Sequence, residues 1–283
     1  MTRCPGSVDP RAKRMPFAPA GLITLTTDFG VTEPFAGIMH GRILARAREV
    51  QIVDLSHGIP AGRADLAGFW LGCAWLDFPP GTVHVAVVDP GVGTSRAVLL
   101  ALAAGHLLLA PDNGLLPEAL RGRSDVRWLG MDTELPARLD LGPLSRTFHG
   151  RDLFAPVAAA LATGTVRPEG FGTPVEPADP APLPAPHHGP DGITGRVLLA
   201  DHFGNLITNI NAALLASCRQ PVIEAGRHAW SLRATYGDAP NGAALALINS
   251  FGLLELALRG GNAAAALGIR EGAPVRVRDG ISA

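Results

Sequence analysis

The stretch that most constrains the fold is residues 83–96, VHVAVVDPGVGTSR, where a β-branched apolar run stops at Asp89, Pro90 and Gly91. Such a run is a buried strand that delivers a carboxylate to a loop. In open α/β sheets ligands bind beyond the carboxyl ends of the strands, so Asp89, and Arg96 seven residues later, are the first functional candidates. A phosphate-cradling glycine loop is the obvious rival, but it requires a helix immediately after it. The next residues, AVLLALAAGHLLLAPDNG, read instead as two apolar strands joined by a turn at Gly105.

The chain of 283 residues, 47% hydrophobic and 17% charged, is long enough for two domains and a substantial core. A formal net charge of -1 gives no general attraction to nucleic acid or to an anionic membrane surface. The only lysine is Lys13, in a segment without periodicity, which excludes Schiff-base and P-loop chemistry inside the fold. Cys4, Cys73 and Cys218 show neither zinc-ligand nor disulfide-framework spacing. Residues 1–20 lack the apolar core of a secretory signal, and no apolar run is long enough to span a bilayer. The expectation is a cytoplasmic protein with a disordered tail over residues 1–20.

From Gly21, LITLTTDFG repeats the strand-then-acid pattern and ends at Asp28. Phe35, Ile38, Met39, Ile43 and Ala47 recur at helical spacing, and VQIVDLS is the next strand. A second helix over residues 63–76 comes next. Strands alternating with amphipathic helices predict an α/β domain over residues 21–166 with a largely parallel central sheet. In PDNGLL, Asp112 and Asn113 form a turn whose side chains can bond backbone or ligand, and Asp152 of TFHGRD is a plausible N-cap for a helix to its C-terminal side. Eight prolines between residues 168 and 190 predict a connector spanning residues 167–191. Short strand-like runs over residues 192–283, punctuated by Gly, Asn and Asp, predict an all-β barrel. No two of the nine histidines pair with an acid at helical ligand spacing, so neither a metal nor another cofactor is expected.

Six motifs, TTDFG (26–30), VVDPGVGTSR (87–96), PDNGLL (111–116), TFHGRD (147–152), DHFGNLITNI (201–210) and NSFG (249–252), resemble in order those of the adenosine-forming S-adenosyl-L-methionine (SAM) hydrolases, relatives of the SAM-dependent fluorinase and chlorinase. The resemblance implies an α/β domain joined to a β-barrel and a homotrimer with active sites at subunit interfaces. It also implies a reactive trio of Asp89, Arg96 and His149. Asp28 matches the acid that grips the ribose hydroxyls. Asp201, Phe203 and Asn205 match residues around the adenine and the methionine amino group, and Ser250 a contact to the methionine carboxylate. The halogenating relatives carry a tyrosine at the position of Asp89 and a serine at that of Gly150, so the chain resembles the water-using branch. A tryptophan beside the substrate in the halogenase aligns near Gly62, which leaves one wall of the pocket unassigned.

Each residue has a structural alternative. Asp89 and Arg96 could be an ion pair closing a loop, His149 a loop histidine bonded to backbone, and Asp28 a turn cap. Asp201 and Asn205 sit where turn residues are ordinary, and Phe203 and Phe251 flank glycines in turns or stack on adenine. Three functions are therefore weighed: SAM hydrolysis by a water held in line with the C5'–S bond, halide-dependent formation of a 5'-halo-5'-deoxyadenosine, and a non-catalytic SAM or adenosine sensor. The carboxylate of Asp89 near the nucleophile position argues against a halide, because two anions repel.

Overall fold

The computed structural model describes residues 16–178 and 183–280. These divide into two compact units, whose boundary falls within the segment expected as a connector.

The N-terminal unit begins β1 (Leu22–Thr27), α1 (Phe35–Leu44), β2 (Gln51–Ser56), α2 (Ala64–Ala74) and β3 (Val83–Val87). It continues β4 (Val98–Ala103), β5 (His106–Pro111), α3 (Leu115–Ala119), β6 (Arg127–Met131), α4 (Leu135–Arg138), α5 (Ala155–Ala162), α6 (Pro168–Phe171) and β7 (Gly172–Pro174). The seven strands form one sheet in the order β2-β1-β3-β5-β4-β6-β7. The pairs β2·β1, β1·β3 and β3·β5 are parallel, and β4 enters antiparallel to β5. The two residues of the β4–β5 turn, Ala104 and Gly105, both have positive φ, the conformation that lets a two-residue hairpin follow the sheet's twist. This hairpin takes the place a phosphate-binding helix would need.

Alternation along β3 divides the core. Val83, Val85 and Val87 pack with Met39 and Ile43 of α1 and Val157 and Leu161 of α5. Ala86 and Val88 face the other side, against Leu71 of α2 and Leu115 of α3. A sheet covered on both faces explains why β3 reads as a continuous apolar run rather than an alternating one. The chain leaves β1 for β2 on one side and returns to β3 on the other. The loops after β1 and β3 therefore diverge, opening a crevice at the carboxyl ends of these two strands.

Three expectations need correction. Of the tail, residues 1–15 lie outside the described residues, but Ala20 N donates to Gly81 O at 3.0 Å and Phe17 packs against the core. The connector is shorter than its prolines imply. Pro168 starts α6 at a position whose N–H needs no partner, and Pro174 lies on the edge strand β7, where no ladder bond is lost. Asp152 is not an N-cap. It lies inside a widened π-helical turn, Gly150–Phe154, that runs directly into α5, with Ala155 N bonded to Gly150 O. Pro156 offers no N–H to the carbonyl of residue 152, so a regular α-turn would leave that acceptor unpaired in any case.

The C-terminal unit consists of β8 (His187–Gly189), β9 (Gly192–Ala200), β10 (Leu206–Asn211), α7 (Ala212–Leu215), β11 (Pro221–Ala225), β12 (His228–Arg233), β13 (Ala244–Ile248), β14 (Leu253–Leu258), α8 (Ala263–Leu267) and β15 (Pro274–Asp279). Pairing of β10 with both β14 and β9 closes seven strands into a barrel, and β8 adds to the outside of β9. Ile193, Val197, Leu206, Ile223, Leu256 and Val275 are among the residues filling the interior. Closure removes the exposed strand edges that an open sheet of this composition would present. Among the described residues no helix is long and apolar enough to cross a membrane.

Candidate active site

At the carboxyl ends of β1 and β3 lies a cavity of about 410 Å³, lined by Asp28, Gly62, Asp89, Thr147, Phe148 and His149 among others. Thr27 and Val87 are register partners at the ends of these strands, so Asp28 and Asp89 leave neighbouring strands at almost the same height. The sheet thus brings together two acids that are 61 residues apart in the sequence.

Asp89 is held from two directions. Its Oδ1 accepts the backbone N–H of Gly91 at 3.1 Å and pairs with Nη2 of Arg96. The ion pair closes the loop, as the structural alternative foresees, and also faces open space. The Asp89 side chain is 9% exposed and that of Arg96 23%. Arg96 lines an adjoining depression with Asp65, Pro90 and Asn113, and its Nε has no hydrogen-bond partner among the described residues. Asn113 of PDNGLL donates to Val88 O at 2.8 Å and so braces the backbone just before Asp89.

Glycine 93 decides how the second loop arrives. Its φ is +79°, and a Cβ there would run into the carbonyl of Arg146. This close approach sets the 89–96 loop against the 145–149 loop that carries His149 to the cavity. Asp152 fastens the same loop from behind, accepting Ser145 N at 2.9 Å. Hydrogen bonding from Arg151 holds the Asp152 carboxyl below the ordinary carboxylate range.

Asp28 accepts Gly62 N at 2.8 Å. Gly62 has φ +74°, and a Cβ would press on Pro90 at 3.2 Å. An aromatic residue there would be strained and crowded. The apolar surface comes instead from Phe29 and Phe148, which pack edge to face with Phe35 at centroid separations of 5.4–6.0 Å. Residue patterning alone does not mark Phe29 or Phe148 for the site. The available signal is their place inside TTDFG and TFHG, next to Asp28 and His149.

Asp201, Phe203, Asn205 and Ser250 belong to the barrel unit. Asp201 Oδ1 accepts Phe203 N at 2.9 Å and Asn205 N at 2.8 Å, so its turn role is real. Asn205 is buried, whereas Phe203 is 72% exposed and Ser250 is exposed. The NSFG turn is organised by Asn249, whose Oδ1 accepts Phe251 N and Leu253 N and whose Nδ2 donates to Glu255 Oε2 at 3.1 Å. Glu255 also accepts the Tyr236 hydroxyl at 2.6 Å. Burial pushes the Glu255 carboxyl up, and the nearby Asp201 charge adds to the rise, so the 201–205 turn and Glu255 are neighbours within the barrel.

A cavity at a topological switch point, furnished with two acids, a histidine and aromatic walls and adjoined by the arginine that pairs with one of the acids, defines an α/β enzyme acting on a small molecule with polar and apolar parts. Comparison with known proteins narrows the class. Residues 23–172 match the SAM hydroxide adenosyltransferase N-terminal domain and residues 195–276 the corresponding C-terminal domain, so the chain belongs to the SAM hydroxide adenosyltransferase family. It is 39% identical over 269 residues, covering 91% of this chain and 98% of the relative, to a protein named (R)-S-adenosyl-L-methionine hydrolase from Salinispora arenicola. A Thermus thermophilus protein of the same name is 39% identical, with 89% and 97% covered. A fluorinase from Nocardia brasiliensis is more distant, at 26% identity with 92% and 97% covered. A solved structure of a conserved protein from Thermotoga maritima superposes with a TM-score of 0.80 at 30% identity, covering 90% of this chain and 99% of that one.

Proposed function

We propose that the chain hydrolyses S-adenosyl-L-methionine to adenosine and L-methionine by in-line attack of one bound water at C5'. The carrying observation is Asp89 at the end of β3, which lines one cavity with Asp28 and His149 and is paired with Arg96 of the adjoining depression. The sulfonium makes methionine a neutral leaving group, so no general acid is needed on that side. What the reaction needs is an oriented nucleophile. Asp89 accepts a proton or hydrogen bond from the water, and Arg96, with donors beyond its Asp89 contact, favours hydroxide character on the oxygen. His149 completes the trio from the opposite loop. Asp28, oriented by Gly62 N–H, serves the ribose hydroxyls. In the barrel, Phe203 offers a ring to adenine, Asn205 and Asp201 polar groups around the adenine and methionine amino group, and Ser250 a hydroxyl to the methionine carboxylate.

The reaction uses no metal or organic cofactor and takes place in the cytoplasm. The working assembly is a homotrimer with active sites at subunit interfaces. Supporting this, Phe35 of the aromatic trio is 43% exposed and Val31 83%, an apolar rim that another subunit would cover. Light scattering on the purified chain measures its mass, and a monomeric value refutes the assembly.

Incubation with SAM in ¹⁸O-water tests the activity. The expected result is label at the adenosine 5'-oxygen. A product that forms only with added halide supports halogenation, and tight SAM binding without turnover supports a sensor. Either outcome overturns the hydrolase.

A further inference from the structure

His40, Asp54 and His57 are not among the residues lining the Asp89 cavity, and nothing in the proposed reaction uses them. They come from α1, from β2 and from the residue just after β2, so no sequence spacing announces them. In the fold one donor atom from each, an imidazole nitrogen or a carboxylate oxygen, lies within 4.8 Å of the other two. His40 Nε2 is 2.7 Å from Asp54 Oδ1, and His57 Nε2 is 3.0 Å from the same oxygen.

His57 shows that this is more than a surface ion pair. Its side chain is 5% exposed, and Nε2 has no aligned hydrogen-bond partner among the described residues despite its nearness to Asp54. The other ring nitrogen, Nδ1, shares a 2.8 Å hydrogen bond with the Thr27 hydroxyl. In the tautomer that carries its proton on Nδ1 and donates it to Thr27, the Nε2 lone pair is aimed at a carboxylate oxygen, a repulsive contact that a cation between them relieves; in the other tautomer Nε2–H turns to Asp54 and holds the same three groups together. The Thr27 hydroxyl is itself fixed, because it accepts Phe29 N at 3.2 Å. The ring that points into the cluster is therefore oriented from behind, as metal-binding histidines are.

We propose that His40, Asp54 and His57 bind a first-row divalent transition ion of the zinc type. Two imidazoles and one carboxylate suit a borderline ion rather than magnesium or calcium, which prefer all-oxygen shells. With metal–ligand distances of about 2.0–2.2 Å, tetrahedral donors stand roughly 3.3 Å apart. The present separations require a spreading of a few tenths of an ångström. Asp54 at 44% and His40 at 30% exposure are free to move by that much, while buried His57 stays in place. The open side leaves room for water as the fourth ligand. Bound there, the ion ties the edge strand β2 and α1 to the end of β1, one residue before Asp28. The His57 carbonyl already accepts Gly30 N at 2.8 Å across the same junction.

The test is titration of the chelator-treated full chain with Co²⁺, read by its visible d–d absorbance, followed by Zn²⁺ competition. One saturable equivalent is expected, together with a rise in melting temperature. His40→Ala, at a half-buried position, and Asp54→Asn, at an exposed one, should each weaken binding by about tenfold or more. Thr27→Val, which keeps all three ligands, should weaken it about 10- to 100-fold through loss of the hydroxyl that orients the His57 ring. A His187→Ala/His188→Ala double variant should bind as the parent does. Absence of one-equivalent binding, binding unchanged in both His40→Ala and Asp54→Asn, or loss of binding in the His187/His188 variant overturns the proposal.

Discussion

Replacing Asp89 with asparagine separates its chemical role from its structural one. The amide keeps an oxygen where Oδ1 accepts Gly91 N, so the loop retains its turn, but the negative charge paired with Arg96 and the capacity to take a proton are lost. If Asp89 acts as proton acceptor, turnover at saturating SAM should fall about 10²- to 10⁴-fold, equivalent to about 2.7–5.5 kcal/mol of barrier. The structural penalty is smaller. Stripping one partner from a fully buried pair costs about 3–5 kcal/mol, but Arg96 is 23% exposed and the amide oxygen still accepts from it, so about 1–2 kcal/mol is expected. In a chain of this size each kcal/mol lowers the melting temperature by about 2–4 °C. Adenosine release followed by chromatography, SAM binding by calorimetry and a thermal melt measure the three quantities independently. Turnover within about threefold of the parent, with only SAM affinity reduced, would show Asp89 to be a binding residue. Arg96→Gln supplies a further check: if both groups act on one water, the double variant should be scarcely slower than the slower single one.

Gly93→Ala should destabilise the N-terminal unit by about 2–4 kcal/mol and lower activity, because positive φ strain adds to a collision with the Arg146 carbonyl; a melt and turnover both unchanged would refute the loop contact. Tyr236→Phe leaves the buried Glu255 Oε1 without its hydroxyl donor and should reduce stability by about 1–3 kcal/mol in a denaturant titration. Burial pushes His84 down to about 3, helped by neighbouring His106, and pushes His106 down to about 4, helped by Arg123. Both imidazoles titrate near 6.5 when unfolded, so the unfolded chain takes up protons first as pH falls. The stability they contribute is complete above about pH 6.5 and is lost as pH falls through about 4 and then 3. His106→Gln should flatten the decline in melting temperature between about pH 6.5 and 4, and parallel curves would assign the acid sensitivity elsewhere.

Local pattern makes much of the fold readable. The β-branched run at β3, helical periodicity in α1 and α2, and glycine–asparagine punctuation in the barrel each reflect burial on a repeating backbone geometry. Asp28 and Asp89 stand out because each ends an apolar strand. Proline density is less informative: a proline at a helix start or on an edge strand is compatible with regular structure, so α6, β7 and β8 lie hidden in the expected connector. Asp152 looks like an N-cap in the sequence because its partner, Ser145 N, precedes the helix and only the folded loop brings it back.

The sequence by itself determined the architecture of each unit, the acids at the strand ends and the resemblance to the family, since all three are written in short motifs and periodicities. Only the tertiary structure decided which groups share a space. Parallel pairing of β1 with β3 sets Asp28 beside Asp89, the contact at Gly93 draws in the His149 loop, and Phe29 and Phe148 become walls instead of core. The same holds for His40, Asp54 and His57, whose cluster depends on α1 packing over the edge of the sheet. Distances between residues remote in sequence arise from strand order and loop packing, and neither is encoded in any local stretch of the chain.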